Sequence, residues 1–151
     1  MGTRSRIALQ LDGDNLVSVY CHWDGYPTFN GKILRQYFNT RDKVTELIDG
    51  GDISSLWSDS TWDLEETRPN QTLYYSERGE DCPPKLHDNF DDLLKFAEEF
   101  TYVFVNNEWI CYSHDGWDGD KPSVTTKVEI PSGNLYDSDG NPIKQEPLVA
   151  A

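Results

Sequence analysis

The chain has 151 residues, a formal net charge of −14 and a sequence pI of about 4.4. Its length matches one globular domain, and its hydrophobic and aromatic residues, 36% and 13% of the chain, are sufficient for a core. The acidity argues against direct binding of a nucleic acid backbone, whose affinity for proteins comes from Lys and Arg. No apolar run approaches the roughly 18 residues that a membrane span requires.

The first element predicted along the chain is a β-hairpin. Apolar and polar side chains alternate over residues 6–11, the Asp-Gly pair at residues 12–13 suits a tight turn, and residues 16–23 are rich in strand formers. A loop is predicted at residues 24–27, because their proline cannot donate a hydrogen bond within a strand ladder.

Two short helices are predicted next. Asn30 is suited to cap the first helix and Thr40 the second, because both side chains can accept a hydrogen bond from the first helical turn. The apolar residues recur at helical spacing: Ile33, Leu34, Tyr37 and Phe38, then Val44, Leu47 and Ile48. Residues 51–70 mix Ser, Asp and Trp without a clean period, and we expect an irregular stretch there.

The second half of the chain contains one predicted helix among strands. Residues 72–75 are predicted to form a strand, residues 90–99 a helix capped by Asp88 or Asn89, and residues 124–130 a last strand. A second hairpin is predicted at residues 101–112, around the turn Asn106-Asn107. The buried stripe of the helix would contain Phe90, Leu93, Leu94, Ala97 and Phe100.

The order of these elements predicts an α+β fold. We expect an antiparallel sheet of about five or six strands with three helices packed on one face. Residues 1–130 would form a single globular domain. Residues 131–151 contain few large apolar groups and are predicted to be a flexible acidic tail.

The N-terminal third contains a distinctive set of segments. They read Met1-Gly2-Thr3-Arg4-Ser5, then Val19-Tyr20-Cys21-His22-Trp23-Asp24-Gly25-Tyr26-Pro27, then Gly31-Lys32. This pattern resembles a family of small, uncharacterised proteins encoded by tailed bacteriophages, with relatives in bacteria. The resemblance covers about the first forty residues and assigns no chemistry to any of them. It implies a viral accessory protein that acts inside a bacterium.

Two segments couple cysteine and histidine to an Asp-Gly-aromatic sequence. Cys21, His22, Cys111 and His114 could together bind zinc, but adjacent strand residues point to opposite faces and the spacing does not match a zinc site. Cys111, His114 and Asp115 could act as nucleophile, base and orienting group, but nothing marks an oxyanion hole. Buried, reduced thiols are the favoured interpretation. We therefore predict no catalytic residue, no metal site and no cofactor.

Four aromatic residues lie close in sequence to the Asp-Gly loops, and aromatic faces can hold a nucleobase. A ligand site for a small molecule, such as a nucleotide signal, would combine these aromatics with basic side chains on phosphate. Its residues would be Arg4, Arg6, Trp23, Tyr26, Trp109 and Trp117. The alternative is that the aromatics simply complete the core.

The acidity is concentrated after residue 48. Residues 1–48 contain six Lys or Arg against five Asp or Glu, whereas residues 49–151 contain seven against twenty-two. A contiguous acidic face could imitate the phosphates of DNA, although charged faces of helices are usually only solvated. The predicted face comprises Asp59, Asp63, Glu65, Glu66, Asp88, Asp91, Asp92, Glu98 and Glu99.

The leading functional hypothesis is a non-enzymatic phage protein in the bacterial host cytoplasm. It would bind and inhibit or modulate a host protein through the acidic face, in one version as a DNA mimic or anti-defence factor acting on a nucleic-acid-binding target. The alternative hypothesis is a small-molecule binding or sequestering protein. The sequence leaves the oligomeric state open.

Overall fold

The computed structural model describes residues 3–23, 25–58 and 71–131. Within these residues the chain has an α+β fold, with one eight-stranded sheet and three α-helices. The strands are β1 (Ser5–Gln10), β2 (Leu16–Trp23), β3 (Ile53–Ser58), β4 (Gln71–Tyr74), β5 (Lys85–His87), β6 (Phe100–Val105), β7 (Glu108–Asp118) and β8 (Lys121–Val128). The helices are α1 (Lys32–Tyr37), α2 (Arg41–Asp49) and α3 (Phe90–Leu94). A π-helical turn, Pro27–Gly31, precedes α1, and a 3-10 turn, Tyr75–Arg78, follows β4.

The sheet is mixed but mostly antiparallel. Its order is β4-β3-β2-β1-β6-β7-β8, and β5 pairs with the first part of β2 while β3 pairs with the last part of the same strand. The β1–β6 and β2–β3 pairs are parallel, and the other pairs are antiparallel. The predicted α+β class with an antiparallel sheet and three helices is confirmed. The sheet has more strands than expected, and two of its junctions are parallel.

The two faces of the sheet are covered by different helices. Ile7 and Leu9 of β1 belong to the larger cluster, to which α1 and α2 contribute, whereas Ala8 packs with Leu93 of α3 in a second cluster. Successive strand residues point to opposite faces, so α3 lies on the face opposite to α1 and α2. The prediction that all three helices share one face is therefore wrong. The central strand β1 is buried on both faces, and both require cover.

Helix α3 is shorter than the sequence predicts. Asn89 caps it through a hydrogen bond from the backbone N–H of Asp92, as expected, but the helix ends at Leu94 and not at Glu99. The carbonyl of Phe96 instead accepts a hydrogen bond from Arg6 Nε at 3.0 Å. This bond fastens the segment after α3 to strand β1 of the sheet, before β6 begins. Glu98 and Glu99 therefore lie outside the helix.

The antiparallel pair β7–β8 extends beyond its neighbour. Strand β6 pairs with residues 108–113 of β7, whereas β7 continues to Asp118 and pairs there with β8. Residues 114–118 and 121–125 therefore form a two-stranded ribbon at the margin of the sheet. We call this element the ribbon.

The last described residues are held to α1. Ile130 is buried, and Arg35 Nη1 and Nη2 donate hydrogen bonds to the carbonyls of Ile130 and Pro131, both at 2.6 Å. The rest of the predicted acidic tail, residues 132–151, lies outside the described residues. In the part of the chain that is described, no helix is long and apolar enough to cross a membrane.

Candidate functional site

A buried polar network lies between the sheet and α3. Arg6 Nη1 donates to Ser18 Oγ at 3.1 Å, Ser18 Oγ lies 2.7 Å from His87 Nε2, and His87 Nδ1 lies 2.9 Å from Asp92 Oδ2. A carboxylate can only accept a hydrogen bond, so His87 donates from Nδ1 and, as a neutral ring, accepts the Ser18 proton at Nε2. The order of donors and acceptors is that of a Ser-His-Asp triad.

The surroundings of this network favour a structural role. Ser18 is completely buried in the middle of β2, and its oxygen already accepts a hydrogen bond from Arg6. The Phe96 ring lies 5.7 Å from the Arg6 guanidinium carbon and 5.3 Å from the His87 ring. A substrate would have no approach to the hydroxyl, so the network serves to tie β1, β2, β5 and α3 together. Burial lowers the pKa of His87, and Asp92 opposes that effect.

Sequence reasoning missed this network. Ser18 was assigned only to a hairpin and Arg6 to the predicted ligand site, yet both lie on strand positions that the structure buries, with Arg6 only 4% exposed. A buried charged residue requires partners, because its desolvation is costly. By strand alternation Arg6 and Ser18 share a face with Gln10 and Tyr20, which is the more polar face of the hairpin, so no local pattern marked them as buried.

The six residues of the predicted ligand site do not form one cluster. Trp109 packs on Phe104 and donates its indole N–H to the carbonyl of Phe38 at 2.7 Å, so it belongs to the core. Trp117 lies eight residues further along the same strand, a distance of roughly 26 Å at the usual rise. Arg6 is buried in the network described above.

A smaller group does come together at the end of β2. The hydroxyl of Tyr20 lies 2.6 Å from Nδ1 of His22, whose ring packs edge-on against Trp23 at 4.7 Å. Arg4 is exposed nearby, and together with burial, the larger cause, it lowers the pKa of His22. Burial raises the pKa of Tyr20 to about 12, so the phenol stays neutral. This group combines a guanidinium, an imidazole, a phenol and the 42% exposed indole of Trp23.

The cysteine and histidine residues considered for a zinc or nucleophilic site do not converge on one place. Cys21 and Cys111 both belong to the core cluster on the face of α1 and α2, whereas His22 and His114 occupy the alternate strand positions. His114 hydrogen-bonds to the hydroxyls of Thr101 and Thr125, at 2.6 and 2.9 Å.

Burial raises the pKa of both core thiols, Cys21 and Cys111, to about 12, so neither is poised as a thiolate. The described residues contain no group of three or more His, Cys, Asp or Glu side chains that could hold a metal ion.

The predicted acidic face divides into three groups. Asp59, Asp63, Glu65 and Glu66 lie outside the described residues. Asp92 and Glu98 are half-buried: Asp92 accepts from His87, and Glu98 lies close enough to Arg6 to affect its pKa, while burial raises the pKa of Glu98 itself. The exposed members are Asp88, Asp91 and Glu99.

The ribbon adds carboxylates that the sequence did not assign to this face. Lys121 Nζ lies 2.6 Å from Asp91 Oδ2, and the backbone N–H of His114 donates to the carbonyl of Glu99 at 3.1 Å. These contacts place the ribbon beside residues 88–99. The exposed carboxylates that lie on this side or at the ribbon turn, here called the acidic surface, are Asp88, Asp91, Glu99, Asp118 and Asp120.

Comparison of the chain with protein-family models, with curated proteins and with solved structures returned no match. The likeness of the N-terminal third to phage proteins therefore stays a prediction from the residues quoted above. The geometry of the acidic surface and of the cluster at the end of β2 carries the functional argument.

Proposed function

We propose that this chain is a non-enzymatic phage accessory protein that binds a basic surface of a host protein and thereby inhibits or modulates it. The observation that carries the proposal is the acidic surface, whose five exposed carboxylates lie on two segments joined by the Lys121–Asp91 ion pair. The phage and host parts of the proposal depend on the N-terminal resemblance.

The charge balance of the last described segment supports a basic partner. Residues 71–131 contain thirteen Asp or Glu against five Lys or Arg, whereas residues 3–58 are close to balanced. Exposed charges of one sign attract an oppositely charged protein over about 10 Å in ordinary salt and accelerate its association. The same charges repel nucleic acid phosphates, so a protein partner is favoured.

The narrower version of the proposal is DNA mimicry against a nucleic-acid-binding host protein, such as a defence factor. A rigid helix with carboxylates three or four residues apart would have supported it strongly. Because α3 ends at Leu94, Glu98 and Glu99 do not follow helical spacing. The mimicry version therefore depends on the combined surface of α3 and the ribbon, and the general version does not.

The test is capture from bacterial lysate with two charge variants matched in net charge. In the first variant Asp88, Asp118 and Asp120 are changed to Asn; in the second, the exposed residues Asp12, Asp14 and Asp42 are changed to Asn. We expect the wild type to retain a partner that rising NaCl releases, the first variant to lose it, and the second to keep it. Equal loss in both variants, or a partner insensitive to salt, would contradict the proposal.

A second function is favoured by the cluster at the end of β2. Arg4 provides a cation for a phosphate or carboxylate, and the exposed indole of Trp23 provides a stacking face beside His22. A small anionic ligand with a planar ring, such as a nucleotide, fits this chemistry.

Tryptophan fluorescence titrated with a nucleotide panel tests this second function. We expect a nucleotide to change the fluorescence of the wild type. This fluorescence change should disappear in Arg4→Gln and Trp23→Leu but persist in Trp117→Leu. No change with any nucleotide in the wild type would remove this candidate.

A further inference from the structure

One face of the ribbon exposes large apolar side chains. Trp117 stands opposite Pro122 in the ladder, and Asp115 stands opposite Val124. Pro122 and Val124 alternate along β8 and therefore project to the same side, together with their partners on β7. We call these four residues the ribbon face. Trp117 is 54% exposed and Val124 is 52% exposed, so large apolar groups stand open to solvent there.

The opposite side of the ribbon is fixed to the domain. Lys121 precedes Pro122 and reaches Asp91 of α3, and Thr125 follows Val124 and hydrogen-bonds to Nδ1 of His114. His114 is also bound to Thr101 of β6 through its other ring nitrogen. These contacts hold the ribbon from behind, so the ribbon face is presented in a defined orientation and its ordering needs no partner.

The ribbon face combines an indole with carboxylates. Asp115 lies on the same side as Trp117, and Asp118 and Asp120 are exposed at the adjoining turn. A guanidinium is attracted to the face of an indole and pairs with carboxylates through its planar N–H groups. Trp and Arg are also the residues that most often anchor protein interfaces.

We propose that the ribbon face binds an arginine-rich segment of the partner protein, with a guanidinium over Trp117 and further cations on the surrounding carboxylates. This inference rests on the proposed function, and it specifies where and by what chemistry the partner is held. A second copy of this chain is a poorer occupant, because two ribbon faces would bring like charges together. A phosphate-bearing partner is disfavoured for the same reason.

The experiment measures binding of a fluorescent deca-arginine peptide to the full chain by anisotropy. Trp117→Ala should weaken binding by about threefold to thirtyfold, the range expected for loss of a cation–π contact. Leu86→Ala, which removes a large apolar side chain that is 75% exposed elsewhere, is the control and should bind like the wild type. Trp117→Phe should keep most of the affinity, because a ring remains, and Val124→Glu should increase it.

Circular dichroism of each variant separates lost binding from lost folding. If Trp117→Ala folds and binds deca-arginine as tightly as Leu86→Ala does, the ribbon-face proposal is overturned, while salt-sensitive capture of a host partner would still support the proposed function. If the wild type sediments as a dimer that Trp117→Ala converts to a monomer, the occupant is a second copy and the arginine proposal is likewise overturned.

Discussion

Ser18 shows how one small side chain can hold several elements. Its hydroxyl accepts from Arg6 and donates to His87, so removing it leaves a buried guanidinium and a buried imidazole each short of a partner. Leaving buried polar groups unsatisfied costs about 1–3 kcal/mol. We expect Ser18→Ala to lower the free energy of unfolding by about that amount, measured by urea denaturation.

Ser76, an exposed serine of the 3-10 turn, is the control for this prediction. Ser76→Ala should change the free energy of unfolding by less than about 0.5 kcal/mol, as is usual for surface substitutions. Equal effects of the two substitutions would show that the network contributes nothing to stability.

The histidines predict a loss of stability in mild acid. Burial lowers the pKa of His87 from its ordinary value of 6.5, and the pKa values of His22 and His114 are lowered as well. The unfolded chain therefore takes up these protons first as the pH falls, so the free energy of unfolding decreases below about pH 6.5 until the pH passes the folded-state values. Near Arg6 and Lys85, a protonated His87 would also be repelled.

The measurement is the urea midpoint between about pH 7.5 and about pH 5, where Asp and most Glu stay ionised. His87→Gln should flatten the pH dependence more than His22→Gln does, because His87 is the more deeply buried ring. A pH dependence that His87→Gln leaves unchanged would contradict this assignment.

At the residue scale, the sequence predicted types of environment better than partners. Cys21 and Cys111 are buried thiols as expected, and Asn89 and Thr40 cap their helices as expected. The Ser18–His87 bond joins residues 69 positions apart, and no local pattern encodes such a contact. Contacts between distant residues also decide whether an Asp of the predicted acidic face is exposed or, like Asp92, turned inward.

Among the elements, the β6–β7 turn is the one whose backbone constrains its residues most clearly. Asn106 and Asn107 have φ angles of 53° and 63°, in the left-handed region that two-residue hairpin turns of type I′ require. Asn tolerates this region, whereas a β-branched residue pays about 1–2 kcal/mol. We expect Asn107→Val to lower the free energy of unfolding by about that amount, measured by thermal or urea denaturation.

Glu108→Val is the matched control for the turn, because Glu108 is exposed and is the first residue of the extended strand β7. It should be neutral or slightly stabilising, since Val favours strands. Destabilisation of equal size at both positions would mean that the turn conformation is not the cause.

The hairpins and the caps of α2 and α3 were predictable because their signals are local. The start of α1, strand β3 and the end of α3 were not, and Asn30, predicted to cap α1, lies within the π-helical turn before it and makes no capping hydrogen bond. The β3 segment carries Ser at three of its six positions, so it shows no strand alternation. It forms a strand because Cys21 and Trp23 of β2 offer an edge to pair with, in parallel. The end of α3 is likewise set by Arg6, a residue from the other end of the chain.

For the molecule as a whole, the β1–β6 junction determines where the candidate surfaces lie. Ser5 pairs with Phe100 in a parallel register that joins two hairpins distant in sequence. This junction places the near-neutral N-terminal hairpin in the middle of the sheet and the ribbon at its margin. The periodicity of the sequence predicts neither this junction nor the position of α3 on the face opposite to α1 and α2. Both depend on which edges of the two hairpins pair.

The excess negative charge predicts that salt stabilises the whole domain. A net charge of −14 makes the folded state repel itself, and mobile ions screen that repulsion over a distance of about 10 Å at 0.1 M salt. We expect the melting temperature to rise by a few degrees as NaCl is raised from about 0.01 M to about 0.5 M. A variant with Asp88, Asp118 and Asp120 changed to Asn should start with a higher melting temperature and gain less from salt, because part of the repulsion is already removed. If NaCl instead lowers the melting temperature of the wild type, attractive pairs such as Lys121–Asp91 outweigh the repulsion between carboxylates. The repulsion within the acidic surface would then be weaker than the composition implies.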